Sequence, residues 1–151
     1  MHQQFKPPEN VVEILKEDDS LSLFVEALYR TDLDRYLSEQ KEEQTIFAPL
    51  DSAFEKLPPE RFDNLFRNEN RDALRKVVRR HVVARKIRAS SLKNAEVETL
   101  GGAMVRTEST TNRRTFGGGE LTRTDILASN GLIHTIDRVV LPDNLDEMLL
   151  Q

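Results

Sequence analysis

The spacing of apolar positions divides the chain into a helical first half and a strand-rich second half. In the first half, apolar residues recur every three or four positions, as they do on the buried face of a helix. These stripes predict helices between residues 10 and 40 and between residues 51 and 80. One short strand, Gln44–Ala48, is predicted between the two helical regions, and Pro49 closes it.

Polar residues that can accept hydrogen bonds from free backbone amides mark the starts of these helices. Asn10, with Glu13 three positions later, has the spacing of a capping box. The other predicted helix caps are Ser20, Asn70 and either Asp51 or its neighbour Ser52.

Runs of β-compatible residues around glycine or Asn-Gly predict hairpins in the second half. The predicted pairs are Ala95–Leu100 with Ala103–Thr107, Arg113–Phe116 with Leu121–Thr124, and Leu121–Ser129 with the apolar run after Gly131. Asn130-Gly131 predicts a type I′ turn, because both residues tolerate positive φ. The run after it predicts a central strand that ends by Pro142. Helices followed by strands indicate an α+β fold.

The length of 151 residues suits one domain with its own core. We expect a loose N-terminal tail over residues 1–9, a single domain over residues 10–142, and a tail or short helix over residues 143–151. The chain contains no cysteine, which excludes disulfides and cysteine-based zinc sites.

The formal net charge of -4 hides a strongly basic segment. Between Arg61 and Lys93 there are eleven basic and three acidic residues, a net charge of +8. One face of the helix in this segment is suited to an anionic polymer. The alternative is a solvated face docked against the acidic N-terminal helices. The candidate anions are an acidic polysaccharide, a lipid headgroup or nucleic acid. Aromatic residues do not alternate with these charges, which argues against single-stranded nucleic acid, and we expect no nucleic-acid partner.

No pattern of a catalytic site is present. The glycines at 117–119 lack the Lys-Ser/Thr of a phosphate loop, and there is no GxSxG elbow. His81 and His134 lack the carboxylate or cysteine spacing of a metal site, and we expect His134 to be a hydrogen-bonded core residue. We therefore expect no enzyme activity, no cofactor and no metal.

The sequence leaves the cellular location open. No apolar run is long enough to cross a bilayer, and the first ten residues contain no apolar signal segment. We expect a cytoplasmic protein if Met1 is the native start. If a leader has been removed, we expect an extracellular, periplasmic or cell-surface protein.

Two segments resemble the conserved boxes of fasciclin (FAS1) domains. Thr45–Phe54, TIFAPLDSAF, is similar to the first box, and Asn130–Pro142, NGLIHTIDRVVLP, is similar to the second. The boxes occur in order and at domain spacing, with a helix and the sequence His-Val-Val between them. The resemblance implies a FAS1-like β-sandwich or wedge of two sheets, with several helices packed along one side.

The resemblance also implies a function. Such domains are typically binding modules of the cell surface or extracellular matrix, so the implied partners are a cell-surface or matrix protein or an acidic polysaccharide. Weak self-association is expected of adhesion modules. Some family members bind carotenoids, which gives the alternative of a carrier for an apolar ligand such as a carotenoid or lipid. An aromatic content of only 6%, without Trp, favours the carrier less.

Three residues match positions that the family uses in adhesion. His81 matches the histidine of a Tyr-His motif, although Arg80 stands in the tyrosine position. Asp125-Ile126 matches a pair that contributes to integrin binding in some animal members. The structural alternatives are a histidine held by backbone bonds, an aspartate that caps a turn, and a core isoleucine. The candidate partner-binding residues are Arg71, Arg75, Arg79, Arg80, His81, Asp125 and Ile126.

Overall fold

The computed structural model describes residues 9–150, and the predicted N-terminal tail, apart from Glu9, lies outside them. The helices of this part are α1 Val11–Lys16, α2 Ser22–Arg30, α3 Leu33–Glu39, α4 Asp51–Glu55, α5 Pro59–Leu65, α6 Arg71–Arg79 and α7 Leu145–Met148. The strands are β1 Gln44–Pro49, β2 Val82–Val83, β3 Ala95–Glu98, β4 Met104–Ser109, β5 Arg114–Phe116, β6 Gly119–Glu120, β7 Ile126–Ala128 and β8 Gly131–Ile136.

The strands form two four-stranded sheets, and the fold is α+β as predicted. The first sheet has the order β2-β1-β8-β7, and the second has the order β3-β4-β5-β6. The two central strands of the first sheet, β1 and β8, run parallel, with Ile46 opposite Ile133. All six residues of β8 are buried, which confirms the predicted central strand, although it ends at Ile136 and not at Pro142.

Two apolar clusters hold these layers together. The larger cluster joins the helices to one face of the first sheet. The smaller cluster contains residues of both sheets, including Phe47 on β1 and Phe116 on β5. The rings of these two residues stack with centroids 3.9 Å apart. The first sheet is therefore covered by helices on one face and by the second sheet on the other.

The predicted helix caps are only partly confirmed. Asn10 and Glu13 form the expected capping box, with each side chain accepting a backbone N–H at 3.0 Å. Ser20 does not cap α2, because it lies in a preceding 3-10 turn. Asp18 caps that turn by accepting a hydrogen bond from the Ser20 N–H at 2.9 Å.

Two other predicted caps bind backbone far from their own helices. Asp51 accepts hydrogen bonds from the Leu23 N–H at 2.8 Å and the Ser22 hydroxyl at 2.6 Å, so it stabilises the start of α2. Asn70 accepts from the Leu150 N–H at 2.6 Å and donates to the Leu150 carbonyl at 3.1 Å, which anchors the C-terminal segment. Tertiary packing selects the free amide that each side chain satisfies.

The glycine-rich turn after β5 is shorter than predicted. Gly117 and Gly118 have φ of 58° and 84°, so the chain reverses within the glycines themselves. The returning strand is therefore Gly119–Glu120 and not Leu121–Thr124. Leu121 instead bridges to Ile136 in the first sheet.

The Asn-Gly hairpin forms, but its predicted type I′ turn is wrong. Ala128 pairs with Gly131, which leaves Ser129 and Asn130 as the turn. Neither Asn130 nor Gly131 has a positive φ. Asn130 is buried, and its side chain accepts from the Val11 N–H at 3.0 Å and donates to two carbonyls of the α3 region. The pair is therefore explained by tertiary contacts and not by turn geometry.

Candidate functional site

The amphipathic helix α6 carries the basic residues that the sequence singled out. Its apolar stripe is buried and faces the other helices, with α2 as its principal neighbour. Because the stripe fixes the rotation of the helix, the basic side chains lie along its flanks and outer face.

The first half of this basic face is docked onto the corner between α2 and α3. Arg71 forms an ion pair with Asp32. Arg75 donates to the Thr31 carbonyl with Nη2 at 3.0 Å, and its Nη1 lies 3.9 Å from Asp72. These two arginines are bound within the chain, which agrees with the alternative of a face docked against the N-terminal helices.

The second half borders a pocket of about 260 Å³. We call Lys76, Arg79 and Arg80 the α6 cluster. Opposite them, the hairpin between β3 and β4 and the segment from Pro142 to Met148 close the pocket. Within residues 9–150 no carboxylate lines this pocket, and none lies within ion-pair distance of the α6 cluster. The pocket therefore concentrates positive potential in a concave site.

Arg80 has an unsatisfied hydrogen-bond donor. Its Nε is enclosed and has no hydrogen-bond acceptor among the described residues. An unsatisfied buried donor costs about 1–3 kcal/mol, more for a charged group. A helix-stabilising role also exists, since cations in a last helical turn contribute about 0.3–1 kcal/mol each.

His81 lies behind the cluster and does not reach the surface. Its ring is 1% exposed. Nδ1 donates to the Val77 carbonyl at 2.8 Å, and Nε2 accepts from the Val140 N–H at 2.9 Å. Burial, with a smaller contribution from the charge of Arg80, lowers the pKa of His81 to about 4. The ring is therefore neutral at pH 7, and it positions the end of α6 but cannot contact a partner.

Asp125 and Ile126 lie at a different place, beside the edge strand β7. Asp125 adopts φ of 56°, and its carboxylate accepts from the Ala89 N–H at 3.0 Å, which caps a short 3-10 turn. Ile126 is partly buried against the helical core. Both side chains have structural roles here, and neither joins the α6 cluster.

His134 is also a buried structural residue. Its Nδ1 accepts from the Asp125 N–H at 3.0 Å, and its Nε2 donates to the Ile87 carbonyl at 2.8 Å. Burial lowers its pKa. Both ring nitrogens are therefore occupied by backbone groups, as they are in His81.

The described residues contain no group of three or more potential metal-ligating side chains. In the same part of the chain, no helix is long and apolar enough to cross a membrane. The geometry assembled here is that of a surface with a charged pocket.

Comparison with known proteins identifies the fold. The sequence profile of the fasciclin domain matches residues 19–142. The chain belongs to the fasciclin domain family. α1 lies before the matched residues and packs into the same core. The matched range includes both sequence boxes, the α6 cluster and the two buried histidines.

Relatives of this fasciclin domain occur in bacteria and animals. Protein sll1483 of Synechocystis sp. is 34% identical over 87% of this chain and 73% of its own length. The transforming growth factor-beta-induced protein ig-h3 of Sus scrofa is 28% identical over 89% of this chain, which spans only 20% of that protein.

A solved structure shares the fold. The chain matches a FAS1 domain pair from the insect cell adhesion molecule fasciclin I with a TM-score of 0.80 and 19% identity. The match covers 92% of this chain and 53% of that one.

Sequence reasoning found the bases of α6 but not the pocket beside them. Thr99 and Gly101 approach from the β3–β4 hairpin, some twenty residues further along the chain. A Cβ placed on Gly101 would lie 3.5 Å from Arg79 Cβ and Cδ, which shows how closely the hairpin covers that side chain. The Gly101-Gly102 pair is a signal in the sequence, but by itself it predicts only a turn.

Proposed function

We propose that this fasciclin domain is a non-enzymatic adhesion module that binds an acidic polysaccharide outside the cytoplasm. The observation that carries the proposal is the α6 cluster, whose three cations face a pocket without a carboxylate in the described part of the chain. Of the predicted partner-binding residues, only Arg79 and Arg80 belong to this contact, and Lys76 joins them.

The chemistry of the pocket favours a polysaccharide over a protein partner. Carboxylate and sulfate groups make charge-assisted hydrogen bonds with arginine and lysine. Protein interfaces are usually anchored by aromatic residues, and none lines this pocket. The cationic lining also suits an apolar ligand poorly, so the carrier alternative has no support from this site.

The proposal is tested by the affinity of the protein for polygalacturonate, dextran sulfate and neutral dextran. We expect binding of the two acidic polymers but not of neutral dextran. Added salt should weaken the binding, because exposed charges are screened beyond about 8 Å at physiological ionic strength. Lys76→Glu/Arg79→Glu should weaken the binding about tenfold or more, which corresponds to about 1.4 kcal/mol.

A second variant and a control separate charge from misfolding. Gly101→Asp places a carboxylate against Arg79 without removing a cation, and it should have the same effect. Arg35→Glu/Arg114→Glu makes an equal charge change at exposed positions away from the pocket. The proposal would be contradicted if this control lost as much affinity for the acidic polymers as the pocket variants do. It would also be contradicted if the wild type bound neutral dextran as tightly as the acidic polymers.

A further inference from the structure

The pocket beside α6 is one end of a longer groove. Thr99 also lines a second hollow of about 430 Å³ that runs along the edge of β3. Arg85 and Val97 are shared between this hollow and a third one of about 530 Å³. The three hollows are therefore neighbours along β3, and we call them together the seam groove.

The seam groove follows the line where the two sheets meet. β2 is an edge strand of the first sheet, and β3 is an edge strand of the second. The Leu100 N–H donates to the Val82 carbonyl at 2.8 Å, which joins the two edges at one end. If the chain from Lys93 to Thr99 were extended throughout, it would span at most about 20 Å at roughly 3.3 Å per residue. The groove thus has the length of an extended polymer segment.

Positive charge is concentrated at both ends of the seam groove. The α6 cluster lies at one end, and Arg85, Lys86 and Lys93, which we call the loop cluster, line the other. Lys86 is paired with Glu43 at 3.4 Å. Arg85 and Lys93 have no ion-pair partner within residues 9–150.

The middle of the seam groove is less favourable to an anion. Glu96 and Glu98 are exposed there. Glu96 stands opposite Arg106 in the β3–β4 ladder, and that cation offsets its charge. Glu98 stands opposite Met104 and has no such neighbour. An anionic ligand is therefore held at the two ends and not at the centre.

Buried polar residues hold the segment that carries the loop cluster. Thr45 donates to the Arg85 carbonyl at 2.7 Å, and Thr107 donates to the Lys93 carbonyl at 2.6 Å. His134 donates to the Ile87 carbonyl between them. The backbone is thus ordered before a ligand arrives, which lowers the entropy cost of binding.

We propose that the seam groove binds one extended acidic polysaccharide chain at two points, the α6 cluster and the loop cluster. This inference rests on the proposed function and adds to it a second contact and a minimum ligand length. Two linked contacts raise the apparent affinity, because the second contact forms at a high effective concentration.

The test compares a galacturonate disaccharide with a decasaccharide by isothermal titration. The decasaccharide should bind the wild type about tenfold or more tightly than the disaccharide does. This gain should vanish in Lys76→Glu/Arg79→Glu and equally in Arg85→Glu/Lys93→Glu. Ser90→Glu, which adds a negative charge to the third hollow and removes no cation, should also reduce the gain. The control Arg35→Glu/Arg114→Glu should keep it.

The possible outcomes separate the two proposals. If the length-dependent gain survives in the loop-cluster variants but is lost in the α6 variants, the two-point groove is wrong and the proposed function stands. If no acidic saccharide binds the wild type, both are wrong. Tighter binding of poly-L-glutamate than of galacturonate at matched length would overturn the polysaccharide and assign the groove to an acidic peptide.

A substitution at the centre of the seam groove gives an effect of opposite sign. Glu98→Gln removes the carboxylate without a cross-strand cation, and it should raise the affinity for the decasaccharide about two- to fivefold at low salt. Its effect on disaccharide binding should be smaller. Unchanged decasaccharide affinity in this variant would contradict a path along β3.

Discussion

At the residue scale, the two buried histidines connect the second sequence box to the proposed binding surface. His81 holds the end of α6, and His134 holds the segment after β2. Each ring has one nitrogen that donates to a carbonyl and another that accepts from a backbone N–H. Both side chains therefore hold backbone segments together through hydrogen bonds.

Protonation of His81 should destabilise the fold. The folded pKa of about 4 lies below the ordinary value of 6.5, so the unfolded chain binds more protons between these two pH values. Stability from this residue is present above pH 6.5 and is lost as the pH falls towards 4. The full effect is on the order of 3 kcal/mol. The measurement is the urea midpoint at several pH values.

The matched variant for that titration is His81→Gln. It removes the titrating ring and should make the fall of the urea midpoint between pH 6.5 and pH 4 shallower than in the wild type. His134, whose pKa is also lowered by burial, contributes to the slope that remains. Identical slopes in the two proteins would show that His81 does not control acid stability.

The sequence could predict that His81 is hydrogen-bonded, but it could not identify both of its partners. The bond to the Val77 carbonyl spans four residues and follows from the end of a helix. The bond from the Val140 N–H spans 59 residues. Only the folded structure brings the Val140 amide to the His81 ring, so no local sequence pattern predicts this bond.

At the element scale, local sequence signals predicted the helices and strands better than they predicted the turns and caps that connect them. Periodicity and the Asn10 capping box were confirmed, because both depend on neighbouring residues. Asp51 and Asn70 were expected to cap their own helices, yet they bind amides brought near by packing. The same limit explains the error at Asn130-Gly131.

Gly131 should be intolerant of any side chain. A Cβ there would lie 2.2 Å from the carbonyl oxygen of Gln44, its partner in the β1–β8 ladder. Gly131→Ala must push these central strands apart, and such overpacking costs about 1–3 kcal/mol or more. Urea unfolding measures the change.

The control for Gly131 is Gly101→Ala. Its Cβ would meet Arg79 at an ordinary 3.5 Å, so stability should change by less than about 1 kcal/mol. Similar losses of stability in both variants would contradict close strand approach as the reason for glycine at position 131.

At the scale of the whole molecule, charge is unevenly distributed. The chain carries a formal charge of -4, yet the basic segment found in the sequence supplies both clusters of the seam groove. The segment was visible in the composition. The structure divides this segment into docked arginines, a pocket and a second cluster. That division depends on the packing of α6 and on the meeting of two sheet edges, and no single stretch of sequence encodes either.

The family was predictable because two boxes occur in order and at domain spacing, and the α+β fold because helical periodicity precedes the strand-rich half. The predicted domain boundaries and weak self-association stay predictions. The predicted partner surface, in which His81, Asp125 and Ile126 were included by resemblance, also stays a prediction. The structure gives these three side chains internal contacts instead.

The most direct test of the account is a map of the saccharide on the protein surface. Amide chemical-shift changes would be recorded on isotope-labelled protein during titration with the galacturonate decasaccharide. We predict changes at residues 76–80, 85–93 and 99–103, which surround the seam groove. Changes confined to Asp125 and β7, or to the acidic N-terminal helices, would contradict the central claim.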